Sequence, residues 1–102
     1  MGNENDGDGA SGETVGDRLE ALREALGERE RRAFAAGFGL DPGDYTKITQ
    51  DQRGLSIKRA AALCKRYGVT LEFIYNGNIV GLPAELRDQV RSILARRNGD
   101  RA

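Results

Sequence analysis

The sequence predicts an all-α fold of five short helices followed by a C-terminal amphipathic helix. Three observations support this prediction. Apolar residues recur at the three- and four-residue spacing of a helix face, and the gaps between these stretches hold helix-capping residues and glycines. Aromatic residues make up only 6% of the chain, fewer than a sheet-rich protein uses. The 102 residues are enough for one compact domain with one core.

The N-terminal segment differs in composition from the rest of the chain. Residues 1–13 are rich in Gly and Asp with almost nothing to bury, so we predict a disordered acidic tail there. The first sixteen residues carry four acids and no Lys or Arg, which leaves 12 acids against 16 bases from residue 17 onward. The net charge is zero, but the predicted folded part is mildly basic. Asp6-Gly7-Asp8-Gly9 faintly resembles a calcium loop but lacks the remaining ligands, so we expect no metal there.

Two helices are predicted before residue 40. The first carries an apolar stripe on one face, formed by Val15, Leu19, Leu22 and Leu26. Gly27 ends this helix, because glycine readily takes the left-handed conformation found after helix C-termini. The second helix has an inner face of Phe34, Ala35 and Phe38, and it stops at Gly39.

The third helix has the clearest predicted start. The Asp41 side chain can accept a hydrogen bond from a free N–H group of the first turn, and Pro42 suits the first helical position. Asp44 lies three residues after the cap, where a capping box places an acid. We expect Tyr45 and Ile48 to point inward.

Three further helices complete the prediction. Ser56 caps the fourth helix, Gly68 ends it, and its expected apolar face is Ile57, Ala60, Ala61 and Cys64. Thr70 caps the fifth helix, which carries Leu71, Phe73, Ile74 and Tyr75 before the turn Asn76-Gly77-Asn78. The last helix is predicted over residues 82–98, with an apolar stripe of Leu86, Val90, Ile93 and Leu94.

The second and third predicted helices form a helix-turn-helix pattern. They span roughly Arg31–Phe38 and Pro42–Gln50, and a tight turn that contains Gly39 joins them. In a DNA-binding helix-turn-helix the first helix crosses the DNA backbone, and the second projects side chains from its N-terminal half into the major groove. The pattern therefore predicts that residues 14–78 form a DNA-binding domain whose recognition helix begins after Asp41.

Several segments between Val15 and Gly77 match a known family in order and spacing. They are Val-Gly-Asp-Arg-Leu-Glu-Ala-Leu-Arg-Glu-Ala-Leu-Gly from Val15, Phe34-Ala35, Phe38-Gly39-Leu40, Tyr45-Thr46-Lys47-Ile48, Arg53-Gly54-Leu55-Ser56-Ile57, and the stretch from Ala61 to Gly77. With these segments the chain resembles the lambda-repressor-like, XRE-type family of bacterial and phage transcriptional regulators. Its last segment is similar to the family's recurring end, in which a helix finishes at Gly-Val and a short capped helix closes the domain.

The resemblance implies DNA contacts at matching positions. Arg31, beside Arg32, stands where family members often have a Gln that contacts a phosphate or an edge base. The outward positions of the recognition helix are Gly43, Asp44, Thr46, Lys47 and Gln50. Gln52 and Arg53 lie in the following loop, where family members commonly contact the DNA backbone.

Three features depart from the family pattern. The segment between Gly27 and Arg31 is one residue longer than the usual turn, and Gly43 offers no side chain to a base. Asp41 and Asp44 place negative charge near the DNA, although an Asp can accept a hydrogen bond from cytosine N4. We expect Asp44 to act mainly as a helix-start acid.

These expectations combine into a sequence-specific transcriptional repressor that binds a short inverted repeat in double-stranded DNA and blocks polymerase. We expect a homodimer, because two-fold pairing matches two half-sites. The stripe of Leu86, Val90, Ile93 and Leu94 either folds back on the domain or pairs with a second subunit, and we favour dimerisation. The alternative function is a protein-binding module on the same fold, such as an antitoxin or a phage accessory protein that acts on a host partner.

Other functional classes find little support in the sequence. The chain has no His, one Cys and no Gly-rich phosphate loop, so we expect no catalysis, no cofactor and no metal. No apolar run approaches the roughly 18 residues that span a membrane, and the acidic N-terminus is unlike a secretory signal. A lone thiol fits the reducing cytoplasm, so we expect a cytoplasmic protein, and no small-molecule ligand is evident.

Overall fold

The computed structural model describes residues 13–101, and this range contains helices and no strand. Six α-helices follow one another: α1 (Val15–Ala25), α2 (Arg31–Ala36), α3 (Pro42–Thr49), α4 (Ile57–Tyr67), α5 (Leu71–Asn76) and α6 (Ala84–Arg101). The all-α prediction is confirmed. None of the helices between residues 13 and 101 is long and apolar enough to cross a membrane.

The predicted tail and the calcium-like stretch lie outside the described residues, except for Glu13. Its carboxylate lies 2.6 Å from the Arg18 Nε and belongs to the folded part of the chain. Helix α1 then begins at a capping box that was not predicted. The Thr14 hydroxyl accepts from the Asp17 N–H at 3.1 Å, and the Asp17 carboxylate accepts from the Thr14 N–H at 3.0 Å.

Helices α2 and α3 are joined by a turn around Gly39, which has a φ of +74°. The Leu40 N–H donates to the Ala35 carbonyl at 3.0 Å and closes α2. Helix α3 starts at Asp41, whose carboxylate accepts from the Gly43 N–H at 2.9 Å, so the predicted cap is confirmed. The predicted inner residues of both helices are all buried: Phe34, Ala35, Phe38, Tyr45 and Ile48.

Helices α4 and α5 begin and end where the sequence predicts. The hydroxyls of Ser56 and Thr70 each accept from the backbone N–H three residues ahead. Gly68 follows α4 and Gly77 follows α5, both in the left-handed conformation.

The predicted apolar face of α4 is wrong at two positions. Ile57 is 63% exposed and Ala61 is also exposed, whereas Ala60 and Leu63 are fully buried. Ile57 is the first residue of the helix, and the buried face follows the three-residue step from Ala60 to Leu63. Leu26, at the end of the α1 stripe, is likewise 36% exposed.

Helix α6 packs against α1 and runs past the predicted 82–98 segment to Arg101. Val90 is fully buried and Leu94 is 7% exposed, and both belong to the core of the chain. Leu86 and Ile93 are partly buried against the same core. The structure therefore shows the first of the two alternatives, in which the apolar stripe of α6 folds back on the domain. Val90 and Leu94 are not available to a second subunit, and the homodimer itself stays a prediction.

Helix α1 lies at the centre and packs against α3, α5 and α6. Its contact with α3 depends on Gly16. A Cβ atom at this position would lie 2.6 Å from both the Ile48 carbonyl oxygen and the Thr49 Cα. Because no side chain fits there, glycine lets the two helix backbones approach each other directly.

Candidate nucleic-acid interface

Helix α3 has one buried face and one exposed face. Tyr45 and Ile48 point into the core. Thr46, Lys47 and Gln50 are exposed, and their three- and four-residue spacing places them on one outward surface. The structure therefore brings the predicted contact residues of α3 together on the solvent side of the helix.

The first turn of α3 combines an exposed glycine with an ion pair. Gly43 is exposed, but its N–H is already bound by the Asp41 carboxylate. Asp44 accepts a hydrogen bond from the Arg53 Nη1 at 2.7 Å, which joins the start of α3 to the loop that follows the helix. The two side chains are 36% and 48% exposed. An ion pair at such exposure contributes about 0–1 kcal/mol, so a competing anion can displace Asp44 from Arg53.

The polar side chains of α3 offer both acceptors and positive charge. The Thr46 hydroxyl donates to the Pro42 carbonyl at 3.1 Å, and the Thr49 hydroxyl donates to the Thr46 carbonyl at 2.8 Å. With their hydrogens used inside the helix, both hydroxyl oxygens can still accept. Lys47 is exposed and forms no ion pair with any residue that the structure describes.

The C-terminus of α3 ends in a Schellman-type turn at a residue other than glycine. Asp51 has a φ of +60°, its N–H donates to the Ile48 carbonyl, and the Gln52 N–H donates to the Lys47 carbonyl at 2.8 Å. This turn leaves the side chains of Gln52 and Arg53 exposed beside the end of the helix.

Arg31, at the start of α2, is held by a buried acid on α1. The Glu20 side chain is only 4% exposed, and its Oε1 lies 2.9 Å from the Arg31 Nη2. The same carboxylate accepts from Arg23 at 3.0 and 3.2 Å and from the Tyr45 hydroxyl at 2.6 Å. One buried carboxylate therefore connects α1, α2 and α3.

The environment of Glu20 keeps it ionised. Burial raises the pKa of the Glu20 carboxyl, but hydrogen bonds from Arg23, Arg31 and Tyr45 together outweigh burial and lower the pKa to about 2. Burial, and then the hydrogen bond to Glu20, raise the pKa of Tyr45 above its ordinary value of 10.0. The Arg31 side chain remains 62% exposed, so it is oriented by Glu20 and still accessible to a ligand.

A polar cleft of about 280 Å³ opens between α1, α2, α3 and α6. Its lining residues are Glu20, Arg31, Thr46, Thr49, Gln50 and Arg97. Three predicted contact residues thus meet in one place. The other predicted residues do not line this cleft: Arg32, Gly43, Asp44, Lys47, Gln52 and Arg53.

Sequence reasoning missed three members of this site, Glu20, Thr49 and Arg97. Glu20 lies three residues before Arg23, which in a sequence indicates an ordinary exposed helix pair. Arg97 lies on the polar side of the predicted last helix, with nothing in its spacing to connect it to α2 or α3. No local signal in the sequence identifies Glu20 or Arg97, whereas Thr49 lies on the same helix as Thr46, three residues later.

Comparisons with known proteins add no support to the family resemblance, which rests on the residues quoted above. No known family matches this chain, and neither curated proteins nor solved structures give a match.

Proposed function

We propose that this protein is a sequence-specific DNA-binding transcriptional regulator whose helix-turn-helix is formed by α2 and α3. In this proposal residues 14–78 are a lambda-repressor-like domain, and α3 is the recognition helix that enters the major groove. The protein is a cytoplasmic repressor that covers an inverted-repeat operator and excludes polymerase, with no reaction catalysed.

The observation that carries the proposal is that α3, beside Arg31, has one buried side and one exposed side. Tyr45 and Ile48 anchor one side of the helix in the core, while Thr46, Lys47 and Gln50 cover the other side. The major groove of B-DNA is wide enough to admit a helix that is exposed in this way.

The exposed side chains suit two kinds of contact. Thr46 and Gln50 can hydrogen-bond to base edges, since Gln pairs well with adenine and Thr tolerates several bases. Lys47 supplies positive charge at the groove. Contacts to the phosphate backbone fall to Arg31, Arg32, Gln52 and Arg53, which fix the register of the protein on the duplex.

A homodimer suits an inverted repeat, because each subunit then binds one half-site. With Val90 and Leu94 in the core, the proposed contact uses the apolar surface that remains outside it. Leu26, Leu86 and Ile93 line two adjoining grooves of about 620 and 300 Å³ between the end of α1 and α6. Sedimentation equilibrium tests this contact, and a monomer at tens of micromolar protein contradicts it.

Selection of bound sequences from random duplex DNA tests the proposed function directly. We expect an enriched inverted repeat whose affinity falls with salt. Four cationic side chains per subunit, Arg31, Arg32, Lys47 and Arg53, predict a slope of log affinity against log salt of about −3.6 per subunit.

Single charge removals test the contact assignment. Lys47→Ala and Arg53→Ala should each weaken binding and reduce the salt slope by about 0.9. Lys65→Ala, which removes an exposed lysine in the last turn of α4, is the matched control and should bind as the wild type does. Equal retention of DNA by the wild type and both α3-side variants would refute the assignment.

A protein-binding module is the second candidate, favoured by the acids around α3. Asp41 and Asp51 are exposed at its two ends, and Asp44 offsets the charge of Arg53. A wild-type protein that shows no salt-dependent DNA retention and enriches no sequence would support this second function over the first.

A further inference from the structure

Arg97 lines the polar cleft, and its guanidinium group makes only long contacts with the neighbouring carboxylates. Its Nη2 is 3.4 Å from the Asp17 carboxylate and its Nη1 is 3.8 Å from the Glu24 carboxylate. Both distances exceed the roughly 2.7–2.9 Å of a charge-assisted hydrogen bond. The Arg97 Nε is buried and has no hydrogen-bond partner among the described residues.

Arg31 faces the same cleft from α2, and Glu20 accepts from only part of its guanidinium group. It uses its Nε and Nη2 on Glu20, at 3.1 and 2.9 Å, which leaves the Nη1 group and an accessible side chain. The side-chain amide of Gln50, which is exposed, adds a further donor at the cleft wall.

Glu20 is the one acid among the lining residues, and its negative charge is offset. Arg23, Arg31 and Tyr45 donate to its two oxygens, as described above. The lining therefore offers two arginines and an amide as donors around one neutralised carboxylate, because the Thr46 and Thr49 hydroxyls donate their hydrogens within α3. Such a donor set suits an anion, and a volume of about 280 Å³ is large enough to admit a phosphate group.

We propose that this cleft binds a phosphate group between the guanidinium groups of Arg31 and Arg97, with the Gln50 amide as a third donor. Planar guanidinium groups match phosphate oxygens with paired hydrogen bonds. The source of the phosphate rests on the proposed function: it is a phosphodiester of the DNA backbone beside α3. Arg97 then exchanges two long carboxylate contacts for short bonds to the phosphate, and α6 becomes part of the DNA interface.

Neighbouring arginines on α6 provide a matched test. Arg97→Gln removes the cleft guanidinium. Arg96→Gln removes an equal charge from a side chain that pairs with Glu24 at 2.8 Å, is 60% exposed and does not line the cleft. We expect Arg97→Gln to weaken DNA binding roughly five- to tenfold and to reduce the salt slope by about 0.9, and Arg96→Gln to stay within about twofold of the wild type.

Thermal unfolding followed by circular dichroism shows whether each variant is folded, and Arg97→Lys is a second variant that keeps the charge. We expect Arg97→Lys to retain the salt slope but to bind more weakly than the wild type, because lysine lacks the paired donors. If folded Arg97→Gln binds DNA as Arg96→Gln does, the phosphate site is refuted while DNA binding itself still stands.

A second measurement separates the two sources of phosphate in the full wild-type chain. The protein is titrated with a short duplex in one arm and with inorganic phosphate in the other. In both arms the NMR signals of the Arg97 Nε–H and the Gln50 side-chain amide are followed. Shifts with the duplex support a backbone contact. Shifts with inorganic phosphate but none with the duplex support an anion site in the cleft and contradict its occupation by the DNA backbone. No shift of these signals in either arm overturns the inference.

Discussion

The buried carboxylate of Glu20 predicts a specific loss of stability in acid. Its pKa in the folded protein is about 2, against 4.5 for the free side chain. A group whose folded pKa is lowered stabilises the fold above its unfolded pKa and ceases to do so as the pH falls through the folded value. The free energy of unfolding should therefore decline between about pH 4.5 and pH 2.

The magnitude follows from the difference between the two pKa values. One pKa unit corresponds to about 1.4 kcal/mol, so Glu20 contributes about 3 kcal/mol over the whole window. Between pH 7 and pH 3 the expected loss is about 2 kcal/mol, because the folded protein is still mostly ionised at pH 3. The side chain is only 4% exposed, so little solvent screening reduces this value.

Urea unfolding followed by circular dichroism at several pH values measures this contribution. Glu20→Gln should be less stable than the wild type at pH 7, and the gap should close by about 2 kcal/mol at pH 3. Glu30→Gln is the control: Glu30 is exposed and pairs with no cation within residues 13–101, so this variant should follow the wild-type curve. A constant gap between Glu20→Gln and the wild type across this pH range would refute the reasoning.

Three further predictions concern α3 and its surroundings. Gly16→Ala should lower the free energy of unfolding by about 2 kcal/mol, because its Cβ meets the α3 backbone, whereas Gly54→Ala, whose Cβ meets nothing within 4 Å, should change urea unfolding little. Asp51→Gly should raise the free energy of unfolding by about 1 kcal/mol, since glycine takes a φ of +60° without strain; an unchanged or lower urea midpoint would argue against strain there. Asp44→Asn should tighten DNA binding in a filter or anisotropy assay, because it releases Arg53 and removes a charge that repels the DNA. Weaker binding to the selected operator would instead identify Asp44 as a base contact.

The starts of α3, α4 and α5 were predictable because the signals that set them are local. Asp41, Ser56 and Thr70 each cap the helix that the sequence assigns to them, and Gly68 ends α4 as expected. A cap needs only residues within one turn of itself, so no knowledge of the tertiary fold is required.

Burial and pairing were less predictable because they depend on which helices meet. Ile57 and Leu26 belong to apolar patterns, yet no helix covers them fully. Glu20 belongs to a polar pattern, yet it is buried where α1 meets α2 and α3. Arg97 joins the cleft only because α6 folds back along α1, one of the two alternatives that the sequence left open.

The close backbone approach at Gly16 has a consequence for how such a protein can be regulated. At Gly16 no side chain separates α1 from α3, so at this contact there is no layer that a small molecule could enter or that could repack to reorient α3. The Tyr45–Glu20 hydrogen bond further restrains rotation of α3 about its own axis. We therefore expect control of this protein through competition for its exposed surface or through its cellular concentration, and not through an allosteric shift of α3.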